Sequence, residues 1–424
     1  MIRDLILPTI LLGWLCNMSL TAQVVTLEEI QQKAASHYPA IARYEIIEKS
    51  KEFDIANASK AYLPQGTLSA QATWQSDITR FDLEWPEGMP PLEIPVPDQD
   101  QYRVVAELNQ LIWDGGALSA RKKSLEAGAE VEKQQLEMEL YALRERVNNL
   151  FFGILLMQES LRQQEVLEHE LQRNYDNVQS YILNGVANEA DRSAVKVEQL
   201  KAGQQRINLE STLEAYMKML SVLTGDSLHA DMTFQKPEVE PLTSVINRPE
   251  LQLFNAQEEA IESQRQLLKA GKIPKLGAFM QGGYGKPGLN MFDNRFSPYF
   301  LGGVRLTWNF STLYTWKNEQ QQIDLQKQAV AAQRETFLHN LSVQIPQQQI
   351  EIEKFQKTMQ DDQEIIRLQT LIRKSAEVKV EQGTISVSEL MQAIHAEEAA
   401  KLAKSFHEIR YLLSVYSLRH TTNE

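Results

Sequence analysis

Two long stretches without proline set the limits on what this chain can become. None occurs between Pro97 and Pro237, or after Pro346, and glycine is sparse in both. Within them the apolar residues keep a heptad beat: Leu136, Leu140, Leu143, Val147, Leu150, Ile154, Met157 and Leu161. Leu338, Leu341, Ile345, Ile352, Phe355 and Met359 follow the same beat with one gap, as do Leu402, Phe406, Ile409, Leu413 and Tyr416. This is the seam of packed or coiled helices. The 66 residues from Leu118 to Leu183 would span about 99 Å at the helical rise per residue, longer than any ordinary globular helix.

The chain is also duplicated. His37-Tyr38-Pro39-Ala40-Ile41 is answered by Asn247-Arg248-Pro249-Glu250-Leu251, and Tyr62-Leu63-Pro64 by Lys272-Ile273-Pro274. Both prolines recur 210 residues on. Leu111-Ile112-Trp113-Asp114 finds an echo in Leu306-Thr307-Trp308-Asn309, and Asn184-Gly185-Val186 in Gln382-Gly383-Thr384. An ordered set of this kind marks an internal repeat. The expected organisation is a leader over 1–22 and two repeats, 23–242 and 243–424. Each repeat carries a helix, a strand pair (about 66–113 and 276–310) and a long helical hairpin (about 114–225 and 315–420).

The strand pairs are read from a change of period. Leu68, Ala70, Ala72 and Trp74 alternate with Thr67, Ser69, Gln71, Thr73 and Gln75; Tyr102, Val104, Ala106, Leu108 and Ile112 alternate with Arg103, Glu107 and Asn109. The second half offers Leu276, Ala278, Met280 and Tyr284, then Phe300, Val304, Leu306, Trp308 and Phe310 against Arg305, Thr307 and Asn309. Such alternation fits either lipid-facing barrel strands or a half-buried sheet on a soluble core. If Trp113 and Trp308 are equivalent, they fall on opposite faces, so a bulge or a one-residue misalignment is required. The first inter-strand connection holds Asp77, Asp82, Glu84, Glu87, Glu93, Asp98 and Asp100 against Arg80 alone, as expected of a loop facing outward.

The start of the chain reads as a secretory signal: an apolar core from Leu5 to Leu15 behind Arg3, with cleavage after Ala22. Cys16 is the sole cysteine, so there is no disulfide framework or thiolate cluster. Leu15 stands where lipoproteins carry a small residue, which argues for loss of Cys16 with the signal. The balance of 43 basic against 56 acidic residues, a net charge of −13, disfavours a nucleic-acid partner. Zinc-protease patterns begin at His169-Glu170 and His407-Glu408, but Arg173 and Tyr411 occupy the second histidine position. The glycines Gly282, Gly283, Gly285 and Gly288 precede no helix and make no phosphate cradle. No enzyme, metal site or cofactor is expected.

Four strands cannot close a membrane barrel alone, since closed single-chain barrels begin at about eight. An open edge in lipid leaves backbone groups unpaired at several kcal/mol each. A membrane-spanning form must therefore oligomerise, two copies supplying about eight strands and three about twelve. Trp113 to Gly185 is 72 residues and Trp308 to Gly383 is 75, so two stalks would end at one level. Gly153 and Pro346, 40 and 38 residues beyond their tryptophans, would mark a shared bend.

In these features the chain resembles the TolC family of outer-membrane efflux proteins over nearly its whole mature length. The resemblance rests on the duplicated halves, Ala61-Tyr62-Leu63-Pro64 before the first strand, Leu111 to Gly116 opening the long helix, and the two tip turns. It implies an α+β membrane protein: a homotrimer whose twelve-stranded β-barrel, four strands per chain, continues as a helical tunnel through the periplasm of a Gram-negative bacterium. It further implies an exit duct in the outer membrane's lipid, for efflux or type I secretion. The partners would be a periplasmic adaptor (membrane fusion) protein and an inner-membrane pump of RND, ABC or MFS type. The adaptor would touch Asn184, Gly185, Val186, Gln382, Gly383 and Thr384 at the tips. In the family, a carboxylate six residues after the tip glycine helps close the tunnel; Asp191 and Glu389 stand there. A second acidic ring would fall at Gln392, which is neutral, and the family's tip latch is matched only by Val380 and Ile385. The rival from another class is an exported coiled-coil scaffold or adhesin, which explains the heptads but not four alternating strands at matched positions.

Overall fold

The computed structural model describes residues 24–79, 88, 95–230, 232–239 and 245–423. The expected leader with Cys16, and Arg80, Asp82, Glu84, Glu87 and Glu93 of the acidic connection, lie outside the described residues. In chain order the elements are β1 (Val24–Val25), α1 (Leu27–His37), α2 (Arg43–Ser59), β2 (Gln65–Trp74), β3 (Asp100–Trp113), α3 (Ala117–Leu183) and α4 (Glu189–Thr224). There follow β4 (Thr233–Phe234), α5 (Pro249–Gly271), β5 (Lys275–Lys286), β6 (Ser297–Thr307), α6 (Thr312–Glu381) and α7 (Val387–Thr422). The heptad stretches become helices of 67 and 70 residues, α3 and α6, each returning through a 36-residue helix.

The chain divides into two compact units, each drawing on both halves of the sequence. One comprises Pro39–Ala142, Ser244–Ile345 and Thr421–Glu424. It holds a single antiparallel sheet in the order β2-β3-β5-β6, so the two strand pairs join through β3 and β5. The register sorts the side chains. Leu68, Ala70 and Ala72 share a face with Val104, Ala106 and Leu108, then with Met280 and Tyr284, then with Phe300 and Val304. Apart from Asp100 and Lys286 at the strand ends, every charged residue of the four strands falls on the opposite face: Arg103, Glu107, Lys275 and Arg305.

Of the two alternatives raised by the tryptophans, a bulge or a one-residue misalignment, the structure has the bulge, and it falls at Ile112, which therefore does not continue the apolar alternation. The β3–β5 register shifts between Leu111 and Trp113, leaving Ile112 extra and setting Trp113 opposite Leu276, itself opposite Leu306. One inserted residue thus returns Trp113 to the apolar face. The alternation read through Phe310 stops earlier, at Thr307. Asn309 ends it: its Oδ1 accepts from the backbone N–H of Ser311 (3.1 Å) and the Ser311 hydroxyl (2.6 Å), opening α6. Asp114 does the same for α3, accepting from the N–H groups of Gly116 (2.9 Å) and Leu118 (2.6 Å) and from the Tyr62 hydroxyl (2.9 Å).

The other unit comprises Met1–Tyr38, Leu143–Thr243 and Pro346–His420. Its larger core gathers Val147, Phe151, Phe152 and Ile154 of α3 with Leu220 of α4, Ile409 of α7, and Leu27 and Ile30 of α1. Phe151 lies 5.2 Å from Phe234, whose strand β4 pairs in parallel with β1, and Phe152 lies 5.4 Å from Tyr416. Gly153 sits where α3 passes the Tyr216 ring; a Cβ there would come within 2.9 Å of it. A second core packs Leu171 and Val178 of α3, Val195 of α4, Val380 of α6 and Ile394 of α7.

Candidate functional site

The sheet's apolar face is exposed rather than covered: Leu68, Phe300, Val304 and Leu306 are 64–77% accessible. Aromatic residues frame it. Trp74, Tyr102 and Tyr284 stand at one end, with Phe296 5.7 Å from Tyr284 and 6.2 Å from Tyr102, and Trp113 and Trp308 at the other. Eleven residues separate Tyr102 from Trp113, about 37 Å along a strand and about 28 Å when tilted as in barrels. That matches a lipid band between two aromatic girdles. Beyond the first girdle, Lys286 pairs with Asp98 (2.6 Å), and Asn294 donates to the Val96 carbonyl (2.6 Å), pinning the two outer connections together. Among the described residues β2 and β6 have no further strand partner, so both edges of the sheet are open. Among those residues, too, no helix is long and apolar enough to cross a membrane.

The two hairpin tips are built alike. Gly185 (φ 75°) and Gly383 (φ 68°) adopt the left-handed conformation that closes a helix. At the first, Gly185 N–H donates to Ile182 O (3.1 Å) and Val186 N–H to Tyr181 O (2.9 Å). At the second, Gly383 N–H donates to Val380 O (2.9 Å) and Thr384 N–H to Lys379 O (2.9 Å). The turns are neighbours, since a Cβ on Gly383 would lie 3.5 Å from Val186. Asn184, Gln382 and Thr384 are exposed with them.

Asp191 and Glu389 have a local task. The Asn188 side chain accepts from Asp191 N–H (3.2 Å), and Asp191 Oδ2 accepts from Asn188 N–H (2.9 Å). Ser386 Oγ accepts from Glu389 N–H (3.2 Å), and Glu389 Oε2 accepts from Ser386 N–H (3.3 Å). Both acids complete capping boxes, where negative charge also suits the helix N-terminus. Gln392, one turn on, is exposed. Val380 is buried and Ile385 packs against the same core, so neither presents a polar latch.

Sequence reasoning missed the polar knot above the tips. Arg373 of α6 reaches Glu170 of α3 (2.8 Å), Glu377 (2.7 Å) and Glu397 of α7; Thr370 donates to Glu397 (3.0 Å), and Lys401 pairs with Glu397 (3.0 Å) and Glu398 (2.7 Å). The Glu170 and Glu397 side chains are only 10% and 4% exposed. Their environments push in opposite directions. Burial raises the Glu170 carboxyl above its ordinary value despite Arg373 and Arg173. Burial also acts on Glu397, but hydrogen bonds from Lys401, Arg373 and Thr370 outweigh it and hold that carboxyl below the usual range. No signal in the sequence marks it, since each of these residues would suit a solvated helix face equally well.

No protein-family profile matches this sequence, and no curated protein does. Solved structures do. The chain is similar to the outer membrane protein VceC of Vibrio cholerae, with a TM-score of 0.67 and 12% identity over 93% of this chain and 95% of that one. It is similar to the CmeC outer membrane channel of Campylobacter jejuni (TM-score 0.66, 13% identity, 93% and 85% covered). The open state of the MtrE outer membrane channel of Neisseria gonorrhoeae gives 0.68, 12%, 93% and 88%. The chain has the fold of outer-membrane channel proteins.

Proposed function

We propose that the chain is a TolC-family exit duct of a Gram-negative outer membrane, serving a tripartite efflux or type I secretion system. The observation that carries this is a sheet with one face fit for lipid, two aromatic girdles and two open edges. Three copies, joining β2 of each to β6 of the next, make a closed twelve-stranded barrel, the arrangement that leaves no backbone edge in lipid. Val197, Leu200 and Ile207 of α4, and Ile350, Ile365, Leu368 and Ile372 of α6, are exposed apolar residues suited to contacts between copies. The helices then enclose a periplasmic tunnel. Asp191 and Glu389 become rings of carboxylates at its constriction, favouring cations, with Gln392 contributing a neutral ring. Asn184, Gly185, Val186, Gln382, Gly383 and Thr384 form the end that meets a periplasmic adaptor coupled to an inner-membrane pump.

Imaging of the detergent-extracted protein tests this: a threefold particle with a hollow stalk is expected. Monomers that need no detergent would overturn the reading and leave an exported coiled-coil scaffold or adhesin. For the constriction, Glu389→Gln is expected to reduce cation preference in planar bilayers, read as reversal potential under a salt gradient.

A further inference from the structure

The sheet meets its helices through a strongly basic band. Ten residues flank each strand on the helix side: 55–64 before β2, 114–123 after β3, 265–274 before β5 and 308–317 after β6. These segments hold Lys60; Arg121, Lys122 and Lys123; Arg265, Lys269 and Lys272; and Lys317. Asp114 is their sole acid, so the band carries +7 in a chain whose total is −13. Its depth is limited. The next four residues of the segments bring Glu52, Asp54, Glu126, Glu262 and Glu319 against Lys51 alone. Ten residues at the helical rise span about 15 Å, which confines the excess to a layer just below the Trp113 and Trp308 girdle. The far end of the strands has the opposite sign: the first connection holds seven acids against Arg80, and Lys286 is taken up by Asp98 (2.6 Å).

Among the described residues only Arg265 of this band is ion-paired, to Asp324 (2.6 Å) and Glu262 (3.4 Å). Lys60, Arg121, Lys123, Lys269 and Lys317 are exposed. Apolar groups are interleaved with them. Trp308 Nε1 donates to the Lys272 carbonyl (3.0 Å), and the Lys272 ammonium lies over the Trp316 ring at 4.0 Å. A groove of about 370 Å³ adjoins that ring, lined by Leu267, Leu268, Thr312, Thr315 and Glu319 as well. Phe310, Leu313 and Tyr314 are exposed in the same stretch as Lys317.

We propose that this band is a collar for phospholipid headgroups of the periplasmic leaflet, binding their phosphodiesters and preferring lipids of net negative charge. The inference rests on the exit-duct reading, which sets the apolar face of the sheet in lipid and the helices in the periplasm. Lysine and arginine stems lie along apolar surface while their heads reach outward, and indole rings settle at headgroup level. An anionic leaflet attracts every such cation within a Debye length. The acidic connection at the far end repels the same lipids, so the collar acts on one leaflet only.

The test reconstitutes the full chain in bilayers and reads quenching of its tryptophans by brominated lipid. Brominated phosphatidylglycerol is expected to associate with the protein surface about fivefold more tightly than brominated phosphatidylcholine, as clustered basic residues imply. K122Q/K123Q/K272Q/K317Q should bring that ratio close to one, as should salt at about 1 M. K354Q/K357Q/K374Q/K379Q makes the same change of total charge further along α6 and should leave the ratio unchanged. A wild-type ratio near one, a preference that survives the first variant, or one lost equally in the second overturns the collar and leaves the exit duct standing. Full competition by free glycerol 1-phosphate also overturns it, since that marks a phosphate site rather than a lipid surface. Tryptophans quenched by neither lipid mean that the sheet never enters a bilayer, which overturns the exit-duct reading itself.

Discussion

The two helical hairpins share their turns and caps but not their burial. In the first, the long helix supplies most of the core, through Val147, Phe151, Phe152, Ile154 and Leu171, while its return α4, besides a buried row, leaves Val197, Leu200, Ile207 and Val222 exposed. In the second the roles reverse. The return α7 is buried through Leu390, Ile394, Ile409 and Val415, and the long α6 exposes Ile350, Ile365, Leu368 and Ile372. A duplicated sequence thus produced two hairpins of nearly equal length whose more buried and more exposed helices are exchanged. Helix length and turn chemistry set the frame, whereas apolar placement decides which helix faces a sister helix and which awaits a neighbour.

The largest effect should come from those exposed stripes. Leu200→Glu with Ile207→Glu on α4, and Ile365→Glu with Ile372→Glu on α6, are each expected to abolish assembly, seen as monomer mass in detergent by light scattering. If one pair disrupts and the other does not, the hairpins are not equivalent flanks. Next comes the polar knot, to which both hairpins contribute. Glu397→Gln leaves Arg373 and Lys401 short of a buried partner and should cost about 3 kcal/mol or more, whereas Glu170→Gln should cost clearly less. The pH dependence has opposite signs at the two carboxyls. Glu397, with its depressed pKa, contributes stability that is complete above its unfolded pKa and lost as pH falls through the folded value. Glu170, with its raised pKa, contributes stability below its unfolded value that is lost as pH rises through the folded one. Glu397→Gln should therefore flatten the acid limb of a thermal-denaturation profile, and Glu170→Gln should leave that limb in place.

Gly153→Ala sharpens the comparison within α3. Its new methyl meets the Tyr216 ring, and overpacking of this kind costs about 1–3 kcal/mol, measurable as a lower unfolding midpoint in detergent. The caps should give the smallest effects. Asn188→Ala and Ser386→Ala each remove a side-chain acceptor from a helix start, worth about 1 kcal/mol, and near-equal losses are expected because the two boxes are alike.

Much of this architecture was legible in the residues. The paired prolines revealed duplication, period-2 runs located the strands, and the tryptophan mismatch called for either a misalignment or a bulge, of which the bulge is found at Ile112. The spacing of Asn188 with Asp191, and of Ser386 with Glu389, is itself a capping signature. The Arg373 knot was not legible, because each of its members stands at a position where a solvated helix face is equally natural. Only the meeting of α3, α6 and α7 converts those surface-like residues into a buried network. The end of β6 was misjudged for a related reason: Trp308 and Phe310 continue the alternation, yet Asn309 between them captures the Ser311 N–H and starts a helix.

The open edges of the sheet carry a genetic consequence. In the proposed ring of three, each copy would offer one edge to each neighbour, so a single copy with a ruined β2 or β6 would leave the whole ring open. Coexpressed at equal levels with the intact chain, such a variant would leave roughly one ring in eight wholly intact under random mixing of head-to-tail copies. Lesions in these strands should therefore behave as dominant ones, and lesions confined to one copy's helix cap as recessive.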